Sequence, residues 1–324
     1  MYLVFDVGGT FTKYAIMTLE GEIMLKGKFP TKVKKGDDVP DFVESIGEIY
    51  DEYKQKVEIE GIAMDLPGQV DVDTGMVYGG GALVYLDNVN VGKLISERCD
   101  NLQVALENDA KAAAMAEVWK GNAKDVDDAC VIVFGTGIGG AIIKNKEVHR
   151  GKNLCAGEFS FFLNNMTREQ AEKITNIEER EQAKANGIVQ DYSFIWGSQV
   201  SAMALCERVA KYKGLDYDDV DGIKIYEWAA QGDEGIQDIL EDIYFNIARQ
   251  CCCLQAAFDP EVILIGGGIS AQPLFIEGIR RYANKMMNLT RIYQGLRIEP
   301  CKFLNDSNLY GALYHYKQKY GLLD

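Results

Sequence analysis

Near the N-terminus apolar residues alternate with polar ones or run in short blocks. Tyr2 to Val7, Phe11 to Leu19 and Glu22 to Phe29 each read as a strand, with turns at Gly8-Gly9 and Glu20-Gly21. The period then changes. Phe42, Val43, Ile46, Ile49, Tyr50 and Tyr53 fall at helical spacing within Asp41 to Tyr53, and Val57 to Leu66 returns to a strand that stops at Pro67-Gly68. Gln69 to Asn90, with Gly75, Gly79, Gly80 and Gly81, predicts loops and short hairpins, followed by a helix Val91 to Arg98 and a strand Gln103 to Leu106. Asn108 to Trp119 (NDAKAAAMAEVW) is a strong helix start, with Asn108 as N-cap, Asp109 in the first turn and an alanine-rich body.

Val131 to Phe134 and Gly140 to Ile143 are expected as strands around Gly135-Thr136-Gly137-Ile138-Gly139. The second half turns helical, over Thr167 to Ala185, Asp191 to Lys211, Ile223 to Ala230 and Gly235 to Phe258. A strand Val262 to Ile265 ends in Gly266-Gly267-Gly268, and after a helix Pro273 to Met287 a short strand and a helix Ser307 to Tyr320 close the chain. The order of elements predicts an α/β fold. No repeat of roughly 20 to 50 residues is visible, but strand, glycine turn, strand occurs near Asp6 and again near Gly135, as two related halves would give.

The chain has 324 residues, about two domains at roughly 150 each. With 47% apolar and 26% charged residues it has a globular composition, which excludes intrinsic disorder, collagen and a membrane bundle. Its 34 Lys and Arg face 49 Asp and Glu, a net charge of −15, so nucleic acid and anionic membrane are unsuited as partners. An anionic ligand must then be held locally, by backbone amides or a metal ion. The basic run Lys26, Lys28, Lys32, Lys34 and Lys35 is expected to be a solvated edge and loop. No segment approaches the roughly 18 apolar residues of a spanning helix. Eight cysteines, three of them consecutive at Cys251 to Cys253, fit reduced thiols and a cytoplasmic location.

Gly135 to Gly140 satisfies G-x-G-x-x-G, but a dinucleotide fingerprint needs a helix next and here Ala141 to Ile143 is β-branched strand. No Gly-Lys pair is followed by Ser or Thr, which excludes a Walker A loop, and the protein-kinase signatures are absent. What remains is two glycine turns between strands, whose amides can close on phosphate oxygens with Thr10 and Thr136 adding hydroxyls. Asp6, two residues before Gly8, is a direct or water-mediated partner for Mg²⁺. Asn108 and Asp109 sit where a strand meets a helix; taken alone the pair is a cap and a dipole-compensating acid. With Glu158, Pro67-Gly68 and Gly79-Gly80 they form a set suited to a polyhydroxylated ligand.

The order Asp6-Val7-Gly8-Gly9-Thr10, Leu66-Pro67-Gly68, Glu107-Asn108-Asp109, Gly135 to Gly140, Ala156-Gly157-Glu158, Asp259-Pro260-Glu261, Gly266 to Gly268 and Asn305-Asp306 resembles the ROK family of sugar kinases and repressors, in the actin-like ATPase superfamily. The match runs almost end to end. It implies a two-domain ribonuclease H-like fold with an interdomain cleft: residues 1–118 with the C-terminal helix 306–324 as the smaller domain, and 119–305 as the larger. It implies ATP and Mg²⁺ as cofactors. The phosphates would be held by Gly8, Gly9, Thr10, Gly135, Thr136, Gly137 and Gly139, and the adenosine by Gly266, Gly267 and Gly268. Pro67, Gly68, Gly80, Asn108, Asp109 and Glu158 would bind the sugar, and Asp109 would be the catalytic base. Family members are commonly dimers or tetramers.

Many relatives carry a Gly-Glu-x-x-His followed by a zinc knuckle. Here the His position is Phe161 and Phe162 to Ser198 has no cysteine, so no zinc is expected. His149 and His315 are expected to be structural. Relaxed recognition at the anomeric end leaves room for a substituent on O1, and Gly79 to Ala82 with Asp87-Asn88, Arg150-Gly151 and Ala156 to Phe159 resemble the zinc-free β-glucoside kinases. The favoured expectation is phosphorylation of the 6-hydroxyl of a glucosyl unit in a β-glucoside such as cellobiose. The alternatives are a glucokinase, an N-acylmannosamine kinase or an inactive sugar sensor. A repressor is disfavoured because the first strand starts at Tyr2, and an NAD-dependent enzyme because a strand follows Gly140.

Overall fold

The computed structural model describes residues 1–31, 39–180, 191–303 and 306–323. Lys32, Lys34 and Lys35 of the basic run, Asn305 and the end of the helix expected to reach Ala185 lie outside the described residues. The chain divides into two compact units, one of Met1–Val131, Gly140–Gly157 and Pro300–Asp324, the other of Ile132–Gly139 and Glu158–Glu299.

The first unit is built on strands β1 (Tyr2–Val7), β2 (Phe11–Met17), β3 (Ile23–Pro30), β4 (Gly61–Leu66) and β8 (Val104–Asn108), in the order β3-β2-β1-β4-β8. Strand β1 pairs antiparallel with β2 and parallel with β4, which pairs parallel with β8. Between β4 and β8 lies a small sheet of β5 (Gln69–Asp71), β6 (Met76–Tyr78) and β7 (Val89–Asn90). Alternation decides the faces of the large sheet. Leu3, Phe5, Val7, Ile62, Met64 and Leu106 pack with Phe42, Ile46 and Tyr50 of the helix Val39–Lys54 and Ile95 of the helix Val91–Arg98. Tyr2, Val4, Ala63 and Ala105 point the other way, onto Leu309, Ala312, Leu313 and Tyr316 of the helix Ser307–Lys319. Phe5 is fully buried, and its replacement by Ala would cost about 3–5 kcal/mol.

The alanines of the helix Asp109–Lys120 have a packing reason beyond helix propensity. Ala110, Ala112, Ala113, Ala114 and Ala116 are all buried, so this helix has almost no solvent face. A Cβ on Gly311 would fall on the Ala112 carbonyl oxygen, so the C-terminal helix crosses it nearly backbone to backbone. Larger side chains on either helix would force them apart.

A second five-stranded sheet has the order β11-β10-β9-β12-β13, from β9 (Ala129–Phe134), β10 (Ile138–Lys144), β11 (Glu147–His149), β12 (Val262–Gly266) and β13 (Ile298–Pro300). The strand after Gly135 to Gly137 bears out the rejection of a dinucleotide fingerprint. In the second unit Phe134 meets Trp196 and Phe275 edge-on, at ring-centroid distances of 6.1 and 5.6 Å. Cys251 and Cys252 are buried in the helix Glu234–Phe258, while Cys253 is exposed.

Two expected helices are corrected. The segment from Thr167 forms the short helix Arg168–Glu172, leaves helical geometry at 174–176 and is helical again over 177–180, so the expected single helix is interrupted. Asp191 to Lys211 is not one helix but Gly197–Val200 and Ala202–Lys213, broken where Ser201 turns extended (ψ 163°) and caps Ala204 N–H. Residues 191–196 run irregularly: the Asp191 carboxylate accepts the Ser193 N–H, and the Asn164 N–H donates to the Phe194 carbonyl. Phe194 and Trp196 mimic helical spacing but reach the core from this loop. Among the described residues no helix is long and apolar enough to cross a membrane.

Candidate functional site

In the first unit the turn Gly8-Gly9-Thr10 joins β1 to β2, with the Gly8 N–H donating to the Phe11 carbonyl at 3.1 Å. Thr10 is exposed at its tip, and the Thr31 N–H on the chain beyond β3 donates to its carbonyl at 2.9 Å. A Cβ on Gly9 would lie 3.1 Å from that of Ala82, so the loop Gly79 to Ala82 reaches this hairpin. That loop also touches Pro67-Gly68, since a Cβ on Gly68 would lie 2.5 Å from the Gly79 carbonyl oxygen. The Asp87 carboxylate accepts the Gly79 N–H at 2.6 Å and holds the loop's entry.

Asn108 ends β8 and caps the next helix, its Oδ1 accepting the Lys111 N–H at 3.1 Å, as the sequence predicts. Its Nδ2 donates to the Gly68 carbonyl and to Asp109 Oδ1, both at 3.0 Å. Asp109 Oδ1 also accepts the Ala110 N–H at 2.7 Å. Thus Asn108, Asp109, Gly68 and the Gly79 to Gly81 loop, separate in sequence, are neighbours, with Gly80 buried beneath and Pro67 partly exposed.

Sequence reasoning named Asp6 but missed the row of acids it belongs to and their partners. Asp6, Asp65 and Glu107 share one register across β1, β4 and β8, a row of three carboxylates on the face toward the C-terminal helix. Each is accommodated differently. Lys13 Nζ donates to Asp6 Oδ2 at 2.8 Å. Asp65 is fully buried and its Oδ2 has no hydrogen-bond partner among the described residues; burial, with the Asp6 charge alongside, pushes its carboxyl well above the usual range and favours the protonated form. Asn308 Nδ2, at the start of the C-terminal helix, donates to Asp65 Oδ1 at 3.0 Å and lies 3.5 Å from Asp6 Oδ1 and 3.4 Å from the Asp109 carbonyl. Glu107 is ion-paired with Arg150 and accepts the Asn108 N–H at 2.9 Å. His315 lies nearby, 3.9 Å from Glu107, its pKa lowered by burial to about 4 and therefore neutral. The alternation of β1, β4 and β8 places all three acids on one face, which is the signal that could have found them.

Magnesium is a hard ion that keeps several waters and asks for one or two protein carboxylates beside phosphate oxygens. Asp6, 2.8 Å from Lys13 Nζ and 8% exposed, fits that demand through its carboxylate. Among the described residues no group of three His, Cys, Asp or Glu side chains is arranged to hold a metal alone.

In the second unit Gly135, Thr136 and Gly137 are exposed at the end of β9. The Gly135 N–H donates to the Gly137 carbonyl, and the Ala202 N–H to that of Gly135, both at 3.0 Å, which ties the turn to the start of a helix. Gly139 lies within β10. The Gly266 to Gly268 motif closes on the same place: Gly267 has φ +92° and a Cβ there would overlap the Phe134 backbone. The Gly267 carbonyl accepts both Ser270 Oγ and N–H, at 2.8 and 3.1 Å. The two glycine motifs of this unit, far apart in the chain, therefore meet. Glu158, also in this unit, precedes the short turn Phe159–Phe161 and is partly buried.

Paired glycine turns between strands, each at the head of a sheet, belong to the actin-like ATPase fold. The ROK family model matches residues 2–319. A beta-glucoside kinase of Listeria monocytogenes is 30% identical over 318 residues, 97% of each chain. A glucokinase of Halalkalibacterium halodurans is 28% identical over 332 residues, 98% of this chain and 95% of that one. The crystal structure of a ROK family protein from Streptococcus pneumoniae in complex with sucrose superposes with a TM-score of 0.81 at 29% identity, over 99% of both chains. The chain belongs to the ROK family, among its sugar kinases.

Proposed function

We propose that this protein transfers the γ-phosphoryl group of ATP to the 6-hydroxyl of a glucosyl unit, with a β-glucoside such as cellobiose as favoured substrate. The observation that carries the reading is Asp109 at the junction of strand and helix, its carboxylate fixed by the Asn108 amide and the Ala110 N–H. In this reading Asp109 orients the sugar's primary alcohol and accepts its proton as the new O–P bond forms and the bond to ADP breaks. Asn108, Glu158, Pro67-Gly68 and Gly80 bind the ring hydroxyls. The amides of Gly8 to Thr10 and of Gly135 to Gly139 hold the phosphates, and Gly266 to Gly268 the adenosine. Bound through Asp6, Mg²⁺ would neutralise charge on the phosphates. The enzyme works in the cytoplasm, where its eight cysteines stay reduced.

Three things support a β-glucoside over a free hexose. Phe161 stands where zinc-bearing relatives have histidine, Phe162 to Ser198 has no cysteine, and a beta-glucoside kinase is 30% identical over nearly the whole chain. A glucokinase is the second reading, favoured by the full-length match to one. Both are tested by ADP formation with Mg²⁺-ATP and glucose, cellobiose, gentiobiose or N-acetylmannosamine. The reading expects the highest kcat/KM with cellobiose or gentiobiose; a preference for free glucose would select the glucokinase, and no ADP with any sugar would reject both.

A further inference from the structure

One ion pair in the first unit, between a fully buried Glu107 and a partly buried Arg150, is unused by the chemistry above. Glu107 is fully buried at the end of β8, and Arg150 reaches it from the chain after β11. The two ends of the Glu107 carboxylate do different things. One oxygen accepts the backbone N–H of Asn108 at 2.9 Å, while the other takes the Arg150 guanidinium. Arg150 also donates to the Val148 carbonyl at 3.3 Å.

The segment that Arg150 begins is fastened along its length. The Ala156 N–H donates to the Arg150 carbonyl at 3.1 Å, which closes residues 150–156 into a loop. Gln69 Nε2, on β5 just after Gly68, lies 2.9 Å from Cys155 Sγ. A Cβ on Gly157 would lie 2.8 Å from the Gly140 carbonyl oxygen, so the end of the loop rests on β10. Glu158 is the next residue. The Glu107 end of the pair therefore adjoins Asn108 and Asp109 in sequence, and the loop that Arg150 begins ends immediately before Glu158.

We infer that Glu107 and Arg150 are positioning residues for the sugar site, a pin that sets the Asn108-Asp109 backbone and the 150–157 loop in one arrangement. The inference rests on the sugar-kinase reading for its consequence and on the geometry alone for the pin. An ion pair with its carboxylate fully buried is poor evidence for stability, because hydrophobic replacement of both partners is often neutral while removal of the cation leaves a bare buried charge. A positional role gives the pair a use beside Asp109.

That asymmetry supplies the test. Arg150→Met alone strands the Glu107 charge and can unfold the chain, so it is paired with Glu107→Gln/Arg150→Met, which removes both charges yet keeps an acceptor for the Asn108 N–H, and with Arg150→Lys, which keeps a charge without the fork. Amide hydrogen exchange is measured on the free proteins, and kcat and KM are measured for sugar and for ATP. For the double variant the pin predicts a cooperative fold, exchange at least about tenfold faster confined to residues 108–111 and 150–157, and a fall in kcat/KM for the sugar of about 10²-fold with KM for ATP unchanged. Arg150→Lys should recover part of both. Wild-type exchange and sugar kinetics in the double variant would overturn the inference, as would faster exchange spread over the whole chain. If the wild type turns over no sugar, the functional reading fails, and the exchange pattern still decides whether the pin exists.

Discussion

The two units carry their chemistry in opposite ways. In the first, apart from the glycine turn at residues 8–10, the groups at the head of the sheet are side chains: Asp6, Asp65 and Glu107 in one row, with Asn108 and Asp109 at its end, tied to Lys13, Asn308 and Arg150. In the second they are mostly backbone, the glycines of residues 135–137 and 266–268 meeting where Gly267 lies against Phe134. Moving a proton requires a carboxylate held in one rotamer, and a strand end with long-range partners provides it. Gripping a phosphate requires only N–H groups that can come close, and a missing Cβ provides that. The first unit should then be sensitive to charge and pH, and the second to added bulk.

The largest effect of this contrast is on acid stability. His315 is neutral in the folded chain at a pKa of about 4, against about 6.5 when unfolded, so below pH 6.5 the unfolded state binds the extra proton. Its contribution is fully present above that pH and is lost as the pH falls toward 4, by roughly 2–4 kcal/mol. Glu107 favours the charged ring, while Arg150 and Lys319 oppose it. Denaturant unfolding between pH 7 and 4 should show a shallower loss in His315→Gln than in the wild type; equal slopes would mean that this histidine is not buried neutral.

Added bulk in the second unit comes next. Gly267→Ala puts a methyl against the Phe134 carbonyl at positive φ and should destabilise the chain by about 1–3 kcal/mol, raising KM for ATP while leaving KM for the sugar alone. A change in the sugar KM instead would break the division of labour. The smallest effect is expected from Thr136→Ala, which removes one exposed hydroxyl and should raise KM for ATP by less than about tenfold, in line with a net hydrogen-bond worth of about 1 kcal/mol.

The elements were legible in the sequence where local chemistry sets them. Asn108 as cap, the turns after Val7 and Phe134, and the helix Val91–Arg98 follow from neighbours within a few residues. The supporting shell was not. Asp65 and Glu107 look like ordinary strand positions, and their partners Asn308 and Arg150 lie 243 and 43 residues away, where no periodicity points. The same limit explains residues 191–196, where Phe194 and Trp196 fit a helical stripe but are buried from a loop tied to Asn164, a contact only the fold creates.

The central claim is that Asp109 takes the proton of a sugar alcohol during phosphoryl transfer. It is tested most directly by Asp109→Asn, a nearly isosteric change that keeps an oxygen for the Ala110 N–H, with turnover and calorimetric sugar binding measured on the same preparation. A fall in kcat of about 10²-fold or more with sugar affinity largely kept is the predicted result. Turnover at the wild-type rate would contradict it.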